Sequence, residues 1–201
     1  DMSVVVSPGV TSFSCKVTDP SGHEVGSCVE NVDKLRDTSS SHHRCSIVEV
    51  MGNHCGDLAL YTAISCGAEM VITPETGYDE LEVIENLRYL GEAVKKNHAI
   101  VIISEKICDV DALAKKVSAL TDYSGRATVL GHIQRGGGPT PTDRMLASRM
   151  GEKAVDLLME GIGGHCVGII DNEITSVPIE DALNRPRKSP KALYRLFDRL
   201  V

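Results

Sequence analysis

The sequence predicts an α/β protein with a doubly wound, mostly parallel sheet flanked by helices. From residue 24 onward, segments with the period of amphipathic helices alternate with short apolar runs, which is typical of a parallel sheet. The run 99–103, Ala-Ile-Val-Ile-Ile, is the clearest strand. The alternation continues over about 150 residues, and repeated alternation of this kind builds doubly wound sheets.

Local signals define the individual elements. Val25, Cys28 and Val32 recur on one helical face, Asp57 can begin a helix, and Gly67 suits its left-handed end. The prediction, in order, is helix 24–36, strand 45–51, helix 57–66, strand 70–73, helix 79–96, strand 99–103, helix 109–120, strand 126–130 and helix 142–159. A short strand from residue 172 and two small helices follow, the last over 190–200.

Three regions follow from these patterns. Residues 1–23 are rich in Ser, Thr, Gly and Pro and predict an irregular segment, residues 24–185 form the main region, and residues 186–201 carry a C-terminal helix. Because the chain begins with Asp instead of Met, we expect it to be a piece of a longer protein.

Composition excludes several function classes. The 201 residues carry 21 Lys+Arg against 28 Asp+Glu, a net charge of −7, without a basic arm, so neither nucleic acid nor an anionic membrane is the expected partner. No apolar run approaches the roughly 20 residues that span a bilayer, and no secretory signal is recognisable. We expect a cytoplasmic protein. Its seven cysteines lack paired spacing, which predicts reduced thiols and no structural metal.

Polar and glycine-rich segments follow the predicted strands, where doubly wound sheets bind ligands. Arg126 stands at one end of the strand 126–130, and His132 and Arg135 lie in the loop at its other end, followed by three glycines and a helix start. Two guanidiniums, an imidazole and exposed amides suit a phosphate dianion, although a surface loop with an arginine at either end is the simpler alternative. Glu105 follows the clearest strand and either accepts hydrogen bonds from sugar hydroxyls or serves as a cap or salt-bridge partner. The helix start near Asp57 is a second anion-receptive terminus.

Two familiar site motifs are missing. The sequence contains neither a G-x-x-x-x-G-K-[ST] loop nor a G-x-G-x-x-G motif after a strand, so no cradle for nucleotide phosphates is recognisable. It also has no G-x-S-x-G elbow, and hydrolase chemistry therefore has little support.

Three segments resemble one enzyme family. They are DKLRDTSSSHHRCSIVEVMGNHCGDLALYTAISCGAEMVITPE, KKNHAIVIISE and RATVLGHIQRGGGPTPTDRMLASRMG, and in this order they resemble the C-terminal half of bacterial ATP-dependent 6-phosphofructokinase over residues 24–185. The resemblance implies a phosphofructokinase-like fold. It also implies a glycolytic kinase that transfers the γ-phosphoryl of ATP, with Mg²⁺, to fructose 6-phosphate.

The resemblance also implies roles for single residues. The implied fructose 6-phosphate residues are Arg44, Met51, Gly52, Glu105, Arg126, His132 and Arg135, with Arg44 reaching into a neighbouring subunit. The implied residues for an effector, ADP or phosphoenolpyruvate, are Arg36, Gly67, Glu69, Lys96 and His98, with Glu69 on the effector's magnesium. Both sites imply a homotetramer, or association with a full-length subunit.

The sequence departs from the family pattern at three places. Asn53 stands where a transition-state arginine is usual, and Ser12 and Ser14 stand where the family has its catalytic base and a magnesium carboxylate. The glycine-rich ATP-binding half is absent from this sequence. We therefore interpret the chain as the substrate-binding part of a phosphofructokinase. The alternatives are a non-catalytic sugar-phosphate or effector-binding subunit, an inactive fragment, and a pyrophosphate-dependent relative.

Overall fold

The computed structural model describes residues 2–6, 15–17, 22–39, 42–170, 172–185 and 190–201, with side chains from residue 24 onward. The chain divides into two compact units. The parallel-sheet unit contains residues 24–137 and 189–201, and the antiparallel-sheet unit contains residues 1–23 and 138–188.

The elements in chain order are β1 (Met2–Val6), β2 (Cys15–Val17), α1 (Gly22–Ser39), β3 (Arg44–Val50), α2 (Asp57–Cys66), β4 (Met70–Ile72), α3 (Glu80–Glu92), β5 (Ala99–Ser104), α4 (Val110–Leu120), β6 (Ser124–Val129), a 3-10 helix (Gly131–Arg135), α5 (Pro141–Met159), β7 (His165–Ile170), β8 (Glu173–Pro178), α6 (Ile179–Asn184) and α7 (Lys191–Leu200).

The parallel-sheet unit confirms the predicted fold class. Its strands lie in the order β4-β5-β3-β6, and all neighbouring pairs are parallel. The strands therefore all start at one edge of the sheet, the amino edge, and all end at the opposite one, the carboxyl edge. Crossover helices connect the strands, as parallel pairing requires.

Both faces of this sheet are covered by helices. Successive strand residues point to opposite faces, so Ile47 of β3 packs with α3 and α4, whereas Val48 packs with α1, α2 and α7. All six residues of β5 are buried. Burial on both faces explains why this strand is a continuous apolar run in the sequence instead of an alternating one.

Helix ends agree with the sequence signals in most places. Asp79 caps α3 by accepting hydrogen bonds from Leu81 N and Glu82 N, and Gly67 ends α2 in the left-handed conformation. The predicted end of α3 at Lys96 is wrong, because the helix stops at Glu92. Lys95 takes a positive φ of 61°, and Lys96 N donates to Leu90 O at 3.0 Å, a turn that closes the helix early.

The antiparallel-sheet unit differs from the sequence-based description. Its strands lie in the order β2-β1-β7-β8, and each neighbouring pair is antiparallel. Residues 1–23, predicted to be irregular, contain β1 and β2, and β7 was not predicted at all. Val4 pairs with Val167, so these short strands form through contacts between distant parts of the chain that local periodicity does not reveal.

The helix α5 packs on this second sheet. Thr140 and Asp143 form a reciprocal capping box at its start, and Met150, Ala154 and Leu157 form a small core with Val167. The structure thus divides the predicted main region 24–185 near residue 137 and places α7 with the parallel sheet.

Among the residues that the structure describes, no helix combines the length and apolar character needed to cross a membrane.

Candidate functional site

The carboxyl edge of the parallel sheet brings together three of the predicted site segments. Met51, Gly52 and Asn53 follow β3, Glu105 follows β5, and the 3-10 helix follows β6. Glu105 N donates to Val50 O at 2.9 Å and so extends the ladder between β3 and β5 beyond their last paired residues. The backbone of the sheet itself therefore fixes the relative position of these segments.

The Glu105 carboxylate anchors the turn that follows β3. Its Oε1 accepts hydrogen bonds from Gly52 N at 3.1 Å and Asn53 N at 2.7 Å. None of the described residues engages its Oε2. One oxygen of this carboxylate thus holds the protein turn, and the other can accept a further hydrogen bond.

The turn after β3 requires its particular residues. A Cβ on Gly52 would lie 2.3 Å from the carbonyl oxygen of Cys55, closer than real Cβ contacts occur. Asn53 has a φ of 56°, in the left-handed region that Asn tolerates better than most residues. A side chain at position 52 would therefore displace the turn that Glu105 holds.

Asn53 interacts with a cation that the sequence analysis did not identify as a site residue. Lys106 Nζ donates to Asn53 Oδ1, and Lys106 itself has a φ of 66°. The bond uses the amide oxygen of Asn53, which leaves its Nδ2 hydrogens to donate to other acceptors. At position 53, this chain therefore presents a neutral amide beside an ammonium group.

His132 and Arg135 lie on the 3-10 helix and are both exposed. Gln134 lies between them and is fully buried, and its Oε1 accepts a hydrogen bond from Met51 N at 3.3 Å. The helix that carries His132 and Arg135 is thus tied to the turn that carries Met51.

The structure does not bring Arg126 to His132 and Arg135 within one chain. Arg126 pairs in register with Ser46, three residues before the end of β6 at Val129, which corresponds to roughly 10 Å along a strand. Its guanidinium donates to the carbonyl of Gly125 at 3.1 Å.

Arg126 lies instead on the same face as Arg44. Arg44 is two residues from Ser46 on β3, and Ser46 is the register partner of Arg126, so both arginines project from one face of the amino half of the sheet. Arg44 Nε is buried and has no hydrogen-bond partner among the described residues. The four predicted phosphate-binding side chains therefore divide into two pairs.

The N-terminus of α2, predicted to receive an anion, is occupied by a carboxylate of the chain. Gly56 N donates to Glu75 Oε1 at 3.1 Å. In the described part of the chain, Cys55, Asp57 and Glu75 place one ligand atom each within 4.8 Å of one another and could hold a metal ion. A thiol among the ligands does not fit Mg²⁺, which selects oxygen donors.

Four of the five predicted effector residues lie at the amino edge, where they form two separate sets of contacts. Arg36 donates to the carbonyl oxygens of Cys66 and Gly67, and Lys96 Nζ lies 2.8 Å from Glu69 Oε1. Glu69 is 6 % exposed, and its Oε2 accepts a hydrogen bond from Ile100 N at 2.6 Å.

His98 directly precedes β5 at the same edge. Both oxygens of Glu69 are therefore engaged inside the chain. A magnesium ion does not fit this carboxylate unless Lys96 leaves it.

Electrostatics single out Glu49, the residue before the last one of β3. Burial, and next the negative charge of Glu105, raise the pKa of its carboxyl above the usual range. Burial likewise raises the pKa of Cys45 to about 12 and that of Cys66 to about 11, as expected of unreactive core thiols.

The sequence analysis did not identify Glu49, Lys106 or Gln134 as site residues. A lone acidic residue inside the apolar strand 45–50 was a signal for Glu49, but no local pattern distinguishes Gln134 from an exposed loop glutamine. The predicted positions Ser12 and Ser14 lie outside the described residues.

A parallel sheet with helices on both faces and polar side chains at its carboxyl edge defines the class of doubly wound α/β proteins, which bind ligands at that edge. The sequence profile of the family described as Phosphofructokinase matches residues 24–158. The chain belongs to the phosphofructokinase family, which confirms the resemblance drawn from the sequence.

Individual relatives agree with this assignment. ATP-dependent 6-phosphofructokinase of Vibrio vulnificus (strain YJ016) is 52 % identical over 173 residues, and that of Teredinibacter turnerae is 54 % identical over 175 residues. Each match covers 86 % of this chain and 54 % of the relative, so the chain spans about half the length of these curated relatives. The structure of phosphofructokinase from Saccharomyces cerevisiae matches with a TM-score of 0.70 and 28 % identity, covering 88 % of this chain and 24 % of that one.

Proposed function

We propose that the chain is the fructose 6-phosphate-binding part of an ATP-dependent 6-phosphofructokinase and binds this sugar phosphate at the carboxyl edge. The observation that carries the proposal is the divided use of Glu105, whose Oε1 holds the turn of Gly52 and Asn53 while Oε2 has no partner among the described residues. In the complex, Oε2 accepts a hydroxyl hydrogen of the sugar. His132 and Arg135 bind its phosphate from the neighbouring 3-10 helix.

The division of the cations supports a site completed by a second copy. A phosphate dianion bound by His132 and Arg135 at the carboxyl edge would lie away from Arg44 and Arg126, which project from the amino half of the same sheet. We infer that this second pair serves the phosphate of a neighbouring chain, as a homotetramer or an assembly with a full-length subunit would allow. The unpartnered Nε of Arg44 is consistent with a ligand from outside the chain.

The contacts of Arg36 and Lys96 at the amino edge support a separate effector role. Arg36 and Lys96 are cations that suit the phosphates of ADP or phosphoenolpyruvate, and they lie at the edge opposite the sugar site. Effector binding would draw Lys96 away from Glu69 and free that carboxylate.

Catalysis requires parts that the described residues do not supply. ATP with Mg²⁺ provides the phosphoryl group and neutralises its charge when bound. Within this chain, we infer that Asn53 and its hydrogen-bond partner Lys106 contact the transferred group and that Glu105 orients the sugar. We place the complete enzyme in the cytoplasm, as expected for a glycolytic kinase with an acidic chain and no membrane-spanning helix in its described part.

Calorimetric titration of this chain with fructose 6-phosphate tests the proposal, with fructose as the uncharged control. We expect binding of the phosphate ester only, weakened about tenfold, or ~1.4 kcal/mol, in Arg135→Ala. Equal binding of fructose would contradict the phosphate site. An equimolar mixture of Arg126→Ala and Arg135→Ala chains should recover part of the affinity, because one intact site can then form between two chains.

The alternative function is a non-catalytic sugar-phosphate-binding subunit, which the amide at position 53 favours. A chimera of this chain with the amino-terminal half of a full-length relative separates the two candidates. Formation of fructose 1,6-bisphosphate from Mg-ATP in a coupled assay supports the kinase. Binding without turnover supports the non-catalytic subunit.

A further inference from the structure

We propose that Gln134 and Cys28 are positioning residues that hold the 3-10 helix in the orientation in which His132 and Arg135 bind phosphate. The proposal rests on the proposed function for its ligand. Its structural part concerns only residues of the parallel-sheet unit and is measurable without any ligand.

Gln134 connects three parts of this unit through one buried side chain. Its Oε1 accepts hydrogen bonds from the thiol of Cys28 at 2.8 Å and from Met51 N at 3.3 Å, and its Nε2 donates to Gly131 O at 2.9 Å. Cys28 lies in the middle of α1, and both side chains are 0 % exposed. The amide thus links α1, the turn after β3 and the start of the 3-10 helix.

The geometry of the 3-10 helix makes this link relevant to the cations. Side chains three residues apart lie on the same face of a 3-10 helix, so His132 and Arg135 project together. Gln134 points from a different face into the protein, where its polar atoms must find partners because water is excluded. A rotation of the helix that carries Gln134 out of this position would move both cations at once.

Cys28 is the partner with the least obvious purpose. A buried cysteine in an apolar cluster ordinarily acts as a small hydrophobic residue. Here its thiol occupies one of the two acceptor positions of Gln134 Oε1, and Met51 N occupies the other. The thiol therefore helps to determine which way the amide of Gln134 is turned, and with it the bond to Met51.

Three cysteine variants test the role of the thiol. Cys28→Ala removes the donor, Cys28→Ser retains one, and Cys66→Ala is the matched control. Cys66 is buried in the same core cluster, but its thiol donates to Ala63 O of its own helix instead of to Gln134. Gln134→Met removes all three hydrogen bonds of the Gln134 side chain and keeps a side chain of similar volume.

The first readout is amide hydrogen exchange in the absence of ligand. We expect exchange at Met51 to accelerate about tenfold in Gln134→Met and severalfold in Cys28→Ala, while Cys28→Ser and Cys66→Ala stay within twofold of the original protein. Unchanged exchange at Met51 in a folded Gln134→Met protein would overturn the proposal. If that variant does not fold, identical exchange in Cys28→Ala and Cys66→Ala overturns it.

The second readout is the affinity for fructose 6-phosphate. We expect severalfold weaker binding in Cys28→Ala and recovery in Cys28→Ser, whereas a purely structural cysteine would show no rescue by serine. Loss of affinity to the same extent in Cys66→Ala contradicts the positioning role. Absence of binding by the unmodified chain refutes the proposed function and leaves the exchange result to decide the structural claim.

Discussion

Glu105→Ala is expected to release the turn after β3. The carboxylate accepts two backbone hydrogen bonds, from Gly52 N and Asn53 N, and a hydrogen bond to a charged group contributes about 1.5–3 kcal/mol. Asn53 is exposed, so its amide regains water when the carboxylate is removed. We therefore expect a net loss of about 2 kcal/mol in unfolding free energy, below the sum of two intact bonds.

Glu105→Gln is the matched variant, because its amide oxygen can still accept both bonds. Neutral hydrogen bonds are about half as strong as charge-assisted ones, so the expected loss is about 1 kcal/mol. Urea unfolding followed by circular dichroism measures both losses, and hydrogen exchange at residues 52 and 53 localises them. Wild-type exchange at these amides in the Ala variant would refute the anchoring role of this carboxylate.

Three further predictions follow from the same edge of the sheet. Gly52→Ala should cost about 1–3 kcal/mol by forcing a Cβ against a backbone oxygen, whereas Gly151→Ala, in open helical space, should be neutral or stabilising in thermal unfolding. Glu49→Gln should raise Tm at pH 7. Folding raises the pKa of this carboxyl, so its ionisation at pH 7 destabilises the folded protein, and the neutral amide removes that cost. The gain in Tm should vanish at about pH 3, where the carboxyl is protonated in both states. In the chimera with an amino-terminal half, Lys106→Met should lower kcat more than affinity, and Asn53→Arg should raise kcat. An effect confined to KM would contradict contact with the transferred group.

The sequence predicted the parallel-sheet unit well because its signals are local. Asp79 as a helix start, Gly67 as a left-handed helix end and the apolar run 99–103 are each set by a few neighbouring residues. The carboxyl-edge positions of Met51, Gly52 and Glu105 followed from their places at the ends of predicted strands in a parallel sheet.

The antiparallel-sheet unit was harder to predict because its stability comes from distant pairing. β1 and β7 are separated by most of the chain, and neither has a long apolar run, so only their mutual hydrogen bonds define them as strands. A Pro- and Gly-rich composition in residues 1–23 therefore suggested an irregular segment.

The arrangement of the site was predicted only in part. The motif spacing placed Arg126, His132 and Arg135 within ten residues, and proximity in sequence suggested a single cluster. Register with Ser46 instead places Arg126 on the amino half of the sheet. Side-chain direction within a strand, and the buried amide of Gln134, depend on tertiary contacts that no local pattern contains.

The most direct test of the carboxyl-edge site is a residue-resolved NMR titration of this chain with fructose 6-phosphate, with inorganic phosphate in parallel. We predict that both ligands shift the amide resonances of His132 and Arg135, and that only the sugar phosphate also shifts those of Gly52 and Glu105. Shifts confined to the amino edge around Lys96, or identical shifts with both ligands, would contradict a sugar-phosphate site at the carboxyl edge.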